Sequence, residues 1–131
     1  MKFRHVERID EGMKLNICWN DVIIKKMKKV LYNITYNVDE SVIEDWLKWM
    51  KTEFIPKHIA TEFFESAKMV KVLVEEEMGG VSYAVMYKST NLEVLEDFVA
   101  NHSHKYNKEL SDKFGQKVLT FMTLLEEEFS I

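Results

Sequence analysis

The chain has 131 residues, which is enough for one domain, and 47% of them are hydrophobic, which is enough for a single core. Its one cysteine, Cys18, excludes an internal disulfide and fits a reducing compartment. The net charge of −4 is uneven, because residues 1–29 carry a net +4 and residues 30–131 a net −8. The acidic body argues against a nucleic-acid partner, which requires clustered Lys and Arg to neutralise phosphates.

Residues 1–29 form a basic N-terminal extension, and a ferredoxin-like α+β domain is expected over residues 30–131. The extension has one weak apolar helical stripe and is interpreted either as a docking arm or as a poorly ordered or non-native segment; terminal segments are loosely held unless anchored, which favours the second interpretation. It lacks the apolar run of a signal peptide, and no stretch of the chain reaches membrane-spanning length. We therefore expect a cytoplasmic protein without a membrane partner.

The first predicted strand, Val30 to Val38, alternates with period two, so Tyr32 and Tyr36 share one face. A capping box over residues 41–44 is predicted to open the first helix. Its apolar face repeats at helical spacing and is flanked by two tryptophans. Pro56 should kink or end this helix, and a looser turn is expected over residues 58–62. The residues of this predicted face and its flanks are Ile43, Leu47, Met50 and Phe54 with Trp46 and Trp49.

A second strand is predicted from Ala67 to Glu75, and Gly79 and Gly80 provide a hairpin turn into a third strand, Val81 to Lys88. That third strand repeats the first, with Tyr83 and Tyr87 on one face. A second capping box, residues 90–93, opens a helix that Gly115 ends. The buried stripe of this helix is predicted at Leu95, Val99, His102, Tyr106 and Leu110, and a fourth strand runs from Val118 to Leu125.

The order β-α-β-β-α-β predicts a ferredoxin-like fold with a four-stranded antiparallel sheet, in which the first and third strands are central neighbours. The tyrosines then lie side by side, and we expect them under the helices. The opposite face should be polar if it faced water, yet it also keeps apolar residues, which are Leu31, Met69, Leu73, Met122 and Leu124. An exposed apolar face of this kind requires a partner. We therefore predict a homodimer in which two sheets pack face to face.

Several segments together resemble a known family, the bacterial domain of unknown function family 4286, which is found largely in Bacteroidota. The resemblance covers about residues 30–128, and its motifs occur in order with sensible spacing. They are residues 31–38 (LYNITYNV), 46–50 (WLKWM), 55–56 (IP), 60–61 (AT), 73–83 (LVEEEMGGVSY) and 113–115 (KFG).

The resemblance implies an assembly like that of the dimeric α+β barrels, and it supplies no activity, substrate or catalytic residue. Members of the family often carry a histidine before the Ile-Pro pair and a glycine after the Ala-Thr pair. This chain has Phe54 and Glu62 at those positions. The departure at Phe54 weakens any proposal of a general acid or base there.

Four aromatic residues are candidates for a ligand pocket between helix and sheet: Tyr36, Trp46, Trp49 and Tyr87. They could hold a small aromatic ligand, since dimeric barrels commonly bind small organic molecules. The alternative is plain core packing, because aromatic residues at helical and strand spacing usually fill volume. Core packing is the favoured interpretation.

No catalytic residue, metal ligand or cofactor is predicted. The histidines at positions 58, 102 and 104 lack metal-ligand spacing and are interpreted as lying on helix faces or in solvent. The acidic runs at 75–77 and 126–128 are expected to protect strand ends. The Gly79-Gly80 pair joins two strands and so cannot be a phosphate-binding loop.

Two functions remain open. The first is a non-catalytic homodimeric module that binds a small molecule or a protein in the barrel. The second is a cofactor-free enzyme, a small monooxygenase or isomerase acting on an aromatic substrate, which rests on analogy of fold. A third, RNA binding through the tyrosine strands, is disfavoured by the acidic body and by the aliphatic residues between the tyrosines.

Overall fold

The computed structural model describes residues 28–74, 77 and 79–131, so the predicted extension lies outside the described residues except for Lys28 and Lys29. The main elements are β1 (Val30–Val38), α1 (Ile43–Trp49), α2 (Ile55–Ala60), β2 (Ser66–Lys71), β3 (Val81–Ser89), α3 (Leu92–Asn101), α4 (Ser103–Phe114) and β4 (Val118–Glu126).

The four strands form one antiparallel sheet in the order β2-β3-β1-β4. This order and the alternation with helices confirm the ferredoxin-like α+β fold. The two tyrosine strands are neighbours, with Tyr32 directly opposite Tyr87 and Tyr36 directly opposite Tyr83. The prediction that the four rings lie side by side is therefore correct.

The helices cover the tyrosine side of β1 and β3, and all four tyrosines are buried. Alternate residues of both strands contribute to this core, as period-two side-chain geometry requires. From the first helical segment, Trp46 and Trp49 are buried, whereas Ile43 and Leu47 are only partly buried. Met50 and Phe54 of the predicted stripe are buried as expected, and Trp46 and Trp49 belong to the same buried stripe instead of only flanking it.

Pro56 does not end the first helix. Residues Met50–Phe54 form a π-helical turn between α1 and α2, in which the Ile55 amide donates to the carbonyl of Met50, five residues earlier. Proline lacks an amide, and here it lies in the first turn of α2, where an intrahelical amide bond is not required. The helical path continues to Ala60, so the looser turn predicted to begin at residue 58 begins only after α2.

The helix caps do not lie at the predicted residues. The first lies two residues earlier in the chain, and the second lies one residue later. The Asp39 carboxylate accepts the amide of Ser41 at 3.0 Å and caps a short 3-10 turn before α1. Asn91, rather than Thr90, caps α3, and its side-chain oxygen accepts the Val94 amide at 3.0 Å. Asn and Asp are as effective as Ser and Thr at this position. Side-chain caps therefore occur near both predicted positions, but the prediction that Ser41 and Thr90 provide them in capping boxes is wrong.

Strand β2 is shorter than predicted, because it ends at Lys71 instead of continuing to residue 75. Leu73 and Val74 are strongly exposed and lie outside the strand. The helix predicted after the third strand is interrupted at His102, which separates α3 from α4. His102 is only partly buried, so the prediction that it belongs to one continuous buried stripe is wrong.

Four of the described turn residues have positive φ angles, and one of them is Gly79 at +82°. Gly80 has φ +72°, and a Cβ there would lie 2.8 Å from the carbonyl oxygen of Val38, so this turn requires glycine. Gly115, at φ +60°, ends α4 as predicted. Glu62 also has φ +68°, although it is not glycine. It is the position at which the resembled family commonly has glycine, and the geometry explains that preference.

Candidate functional site

Of the predicted pocket residues, Tyr36 and Trp46 lie together, with ring centroids 5.2 Å apart. Trp46 also packs against Tyr83 at 5.3 Å, so its indole lies over one end of β1 and β3. Both side chains are fully buried. The indole Nε1 has no hydrogen-bond partner among the described residues. Buried polar atoms normally have a hydrogen-bond partner, so this nitrogen is a hydrogen-bond donor that the core leaves unused.

Trp49 lies away from that pair, at the side of the helical layer. It stacks on Phe54 at 4.5 Å and meets Phe114 edge-on at 5.4 Å. Two solvent-open grooves of about 480 and 390 Å³ border it, and both also include Glu53 and Lys113. Trp49 therefore forms the wall of a charged surface groove.

Tyr87 lies at the opposite end of the sheet from Trp46. Its ring stacks on the imidazole of His58 at 4.7 Å with an angle of 21° between the planes. Its hydroxyl is buried and has no hydrogen-bond partner in the described part of the chain. The four predicted residues are thus distributed along the core rather than gathered around one space, and a ligand pocket formed by them stays a prediction.

The functional candidate that sequence reasoning missed is His58. It lies in α2 and is only 1% exposed, so the expectation that it lies in a loose turn or in solvent is wrong. The last turn of α2 directs it into the core, where aromatic rings surround it; the nearest is Tyr106 at 4.1 Å. The signal was present in the sequence, because Met50, Phe54 and His58 follow Trp46 at steps of four residues.

The protonation state of His58 follows from its contacts. Its Nδ1 lies 2.8 Å from the carbonyl oxygen of Phe54. Because a carbonyl can only accept, Nδ1 carries the hydrogen and donates it, and Nε2 keeps a free lone pair in the neutral ring. Burial lowers the pKa of His58 to about 4, although the hydrogen bond to Phe54 acts in the opposite direction. The imidazole is therefore neutral at physiological pH.

An ion pair between two helices of the helical layer lies close to this histidine. The Lys57 ammonium donates to the Glu109 carboxylate at 2.6 Å, which links α2 to α4. This hydrogen bond raises the pKa of Lys57. Burial raises the pKa of Tyr87 well above its ordinary value, so the phenol also stays neutral.

The chemistry available at this end of the core is that of a neutral hydrogen-bonding pair. Tyr87 offers an unused donor, and His58 offers a lone pair that can accept a hydrogen bond or a proton. The set contains no serine or cysteine nucleophile. In the described ranges, no three His, Cys, Asp or Glu side chains are grouped so that they could hold a metal ion. None of the described helices is long and apolar enough to cross a membrane.

Solved structures similar to this chain share its fold at low identity. A dimeric ferredoxin-like protein from an uncultured marine organism is 13% identical, with a TM-score of 0.59 over 79% of this chain and 99% of that one. A Bacteroides thetaiotaomicron protein of unknown function, described as a possible oxidoreductase, is 13% identical, with a TM-score of 0.55 over 77% and 99%. SnoaB, a cofactor-independent oxygenase from Streptomyces nogalater, is 12% identical, with a TM-score of 0.52 over 79% and 96%.

At these identities the structural likeness establishes the fold. No curated protein is significantly similar to the chain. A family model, however, matches residues 29–128, and its description is domain of unknown function (DUF4286). The match spans the whole folded unit from just before β1 to just after β4. The chain therefore belongs to the DUF4286 family.

Proposed function

We propose that this protein is a non-catalytic homodimeric module in which two sheets pack face to face through the side that the helices leave open. The observation that carries the proposal is the exposed apolar surface on that side. Leu119, Phe121 and Leu125 of β4 and Val70 of β2 lie on it, and Phe121 is 61% exposed. Exposed apolar residues that share one face of a sheet mark an interaction surface.

The same face has a polar centre. The pairing places Asn33 and Thr35 of β1 in its middle, next to Met86 of β3 and Thr123 of β4. The open face thus has apolar side chains on its edge strands and hydrogen-bonding side chains on its central strand. This distribution suits two sheets whose edge strands touch and whose central strands enclose a space between them. We propose that this space holds a small molecule, an aromatic one with polar substituents, or a segment of a protein.

The dimeric assembly is tested by measuring the molar mass of the purified chain with sedimentation velocity. Met86→Lys places a charge in the middle of the proposed interface and should halve the mass of the assembly. Ala100→Lys adds the same charge to the exposed side of α3 and serves as the control, with the mass unchanged. If Met86→Lys has the same mass as the unmodified protein, the face-to-face dimer is wrong.

A second candidate function is a cofactor-free enzyme acting on an aromatic substrate, and the unpaired hydroxyl of Tyr87 beside neutral His58 favours it. A hydroxylated aromatic molecule could accept from Tyr87 and donate to Nε2 of His58. A screen of small phenols by thermal denaturation tests this, because a ligand at 100 times its Kd stabilises the folded state by about 2.7 kcal/mol. Stabilisation that Tyr87→Phe abolishes supports the candidate, and a screen without any stabilising phenol counts against it.

A further inference from the structure

Strand β4 has a free edge. It lies at the end of the sheet and pairs only with β1 among the described residues. All nine of its residues stay in register with β1, without a bulge that would twist the edge away. A regular edge strand of this length presents a row of unpaired backbone groups that can pair with another strand.

The hydrogen bonds that flank β4 determine which residues face this edge. The Glu127 amide donates to the Lys29 carbonyl at 2.9 Å, and the Asp39 amide donates to the Lys117 carbonyl at 2.8 Å. Hydrogen-bonded pairs alternate along an antiparallel ladder, so the odd-numbered residues of β4 bond to β1. The backbone groups that face the free edge therefore belong to Val118, Thr120, Met122, Leu124 and Glu126.

Nothing in the sequence of β4 protects this edge. It contains no proline, and its first charged residue is Glu126 at the far end. The other edge strand, β2, has only six residues and carries Lys68 and Lys71. Short length and lysines are the usual protection of an edge, so β2 has it and β4 does not.

Beyond Val118, which is buried, the helices also stop short of β4. The prediction that Met69, Met122 and Leu124 lie on the open side is wrong, because they pair with Val85, Ile34 and Tyr32 of the helix-covered side. Met122 and Leu124 are nevertheless 50% and 42% exposed. The edge of β4 is thus bordered by exposed apolar side chains on both sides of the sheet. Backbone pairing along it would cover apolar side chains at the same time.

We propose that β4 pairs with β4 of a second copy of this chain, antiparallel and with the two-fold axis at Met122. In this register the edge-facing residues meet each other, because Met122 pairs with its own copy, Thr120 with Leu124, and Val118 with Glu126. On the outer side, Leu119 lies opposite Leu125. The pairing uses every open backbone group of β4 and places no like charges opposite each other. The strand is self-complementary, which is the requirement for an isologous contact.

This contact is separate from the face-to-face dimer proposed above and goes beyond it. Face-to-face packing uses the outer side of the sheet, whereas the edge contact uses the backbone of β4, its helix-side residues and the outer Leu119–Leu125 pair at the margin. Together the two contacts give a tetramer with three two-fold axes, a common symmetry after the simple dimer.

Disulfide cross-linking tests the register. In a Cys18→Ser background, Met122→Cys should form a covalent dimer under mild oxidation, because only the residue on the axis meets its own copy, at a Cα distance of about 5.5 Å that a disulfide can span. Leu124→Cys is the matched control, since it would face Thr120 of the second copy and should cross-link much less. Equal cross-linking of the two variants, or none for Met122→Cys, overturns the proposal.

Molar mass separates the two contacts. Met122→Lys should convert a tetramer into a dimer, because two lysines would then meet at the axis, and a mixture with Met122→Glu should restore the tetramer. Met86→Lys should leave a dimer held by the edge alone, and the double variant should be a monomer. An unchanged mass for Met122→Lys overturns the edge contact whatever Met86→Lys does, and an unchanged mass for Met86→Lys overturns only the face contact.

Discussion

Two neighbouring residues of the sheet, Ile34 of β1 and Met122 of β4, face the same side and are directly opposite each other. Ile34 is 6% exposed, whereas Met122 is 50% exposed. Both residues are apolar, but the helices extend over Ile34 and not over Met122. Apolar character alone therefore does not define the core of this subunit. The boundary of the helical layer does, and it lies between β1 and β4.

The largest expected effect comes from shortening these two side chains. Ile34→Ala should lower the free energy of unfolding by about 2 to 5 kcal/mol, because it leaves a cavity under the helices. Met122→Ala should change it by less than about 0.5 kcal/mol at a low protein concentration, where association contributes little. Urea unfolding of both variants gives the two values.

Repeating the unfolding measurements at several protein concentrations tests whether Met122 is covered by a second copy. If Met122 is covered by a second copy, the effect of Met122→Ala should grow as the protein is concentrated, whereas that of Ile34→Ala should stay constant. Equal losses for the two variants at every concentration would mean that β4 is covered within the subunit, contrary to its exposure here.

An intermediate effect is expected from the pH dependence of His58, the buried histidine of the covered side. Its pKa is about 4 when folded and about 6.5 when unfolded, so between these values the unfolded chain binds more protons. The contribution of His58 is thus complete above pH 6.5 and is lost as the pH falls towards 4. Between pH 7 and pH 5 we expect a loss of about 2 kcal/mol.

Urea unfolding at both pH values, for the unmodified protein and for His58→Phe, measures this loss. The variant should lose much less between pH 7 and pH 5, whatever its stability at pH 7. His104→Phe, at an exposed position of α4, is the control and should keep the pH dependence of the unmodified protein. A His58→Phe variant with the same pH dependence as the unmodified protein would mean that this histidine binds a proton as readily in the folded chain as in the unfolded chain.

The smallest effect is expected from Tyr87→Phe, which removes a buried hydroxyl without a partner. Because that hydroxyl loses its water on folding and gains no hydrogen bond, its removal should leave the stability unchanged or raise it by about 1 kcal/mol. Tyr83→Phe, on the same strand and side, is the comparison variant. Thermal denaturation gives both values, and a clear loss of stability in Tyr87→Phe would show that the hydroxyl has a partner in solution.

The sequence was sufficient to predict the strands, their order and the side on which the tyrosines lie. Alternation in β1 and β3 is a local pattern that survives folding, and the number of elements leaves few topologies. The exposure of Met122 was not predictable in this way, because it depends on where the helices end over the sheet. Among the predicted pocket residues, only the Tyr36–Trp46 contact brings two of them together; Trp49 and Tyr87 were separated by packing that no local pattern encodes.

The caps and His58 were missed for different physical reasons. Asp39 lies two residues before the predicted cap Ser41, and Asn91 lies one residue after the predicted cap Thr90, because several polar residues compete to cap each helix. His58 was missed because Pro56 indicated the end of a helix. The π-helical turn before the proline allowed the helix to continue and carried the histidine into the core.

That π-helical turn also has a consequence for insertions and deletions in the chain. In a regular α-helix each residue advances by about 100°, so the twelve residues from Trp46 to His58 would leave the two side chains about 120° apart. The wider turn at Met50–Phe54 reduces this drift and holds both on the sheet side. A homologue that lacks one residue in this turn could form a regular helix in which the same two side chains are eleven residues apart, an offset of about 20°, and both would stay on the sheet side. The loss of one residue is therefore tolerated here, whereas the twelve-residue spacing of this chain keeps the histidine in the core only while the turn stays π-helical.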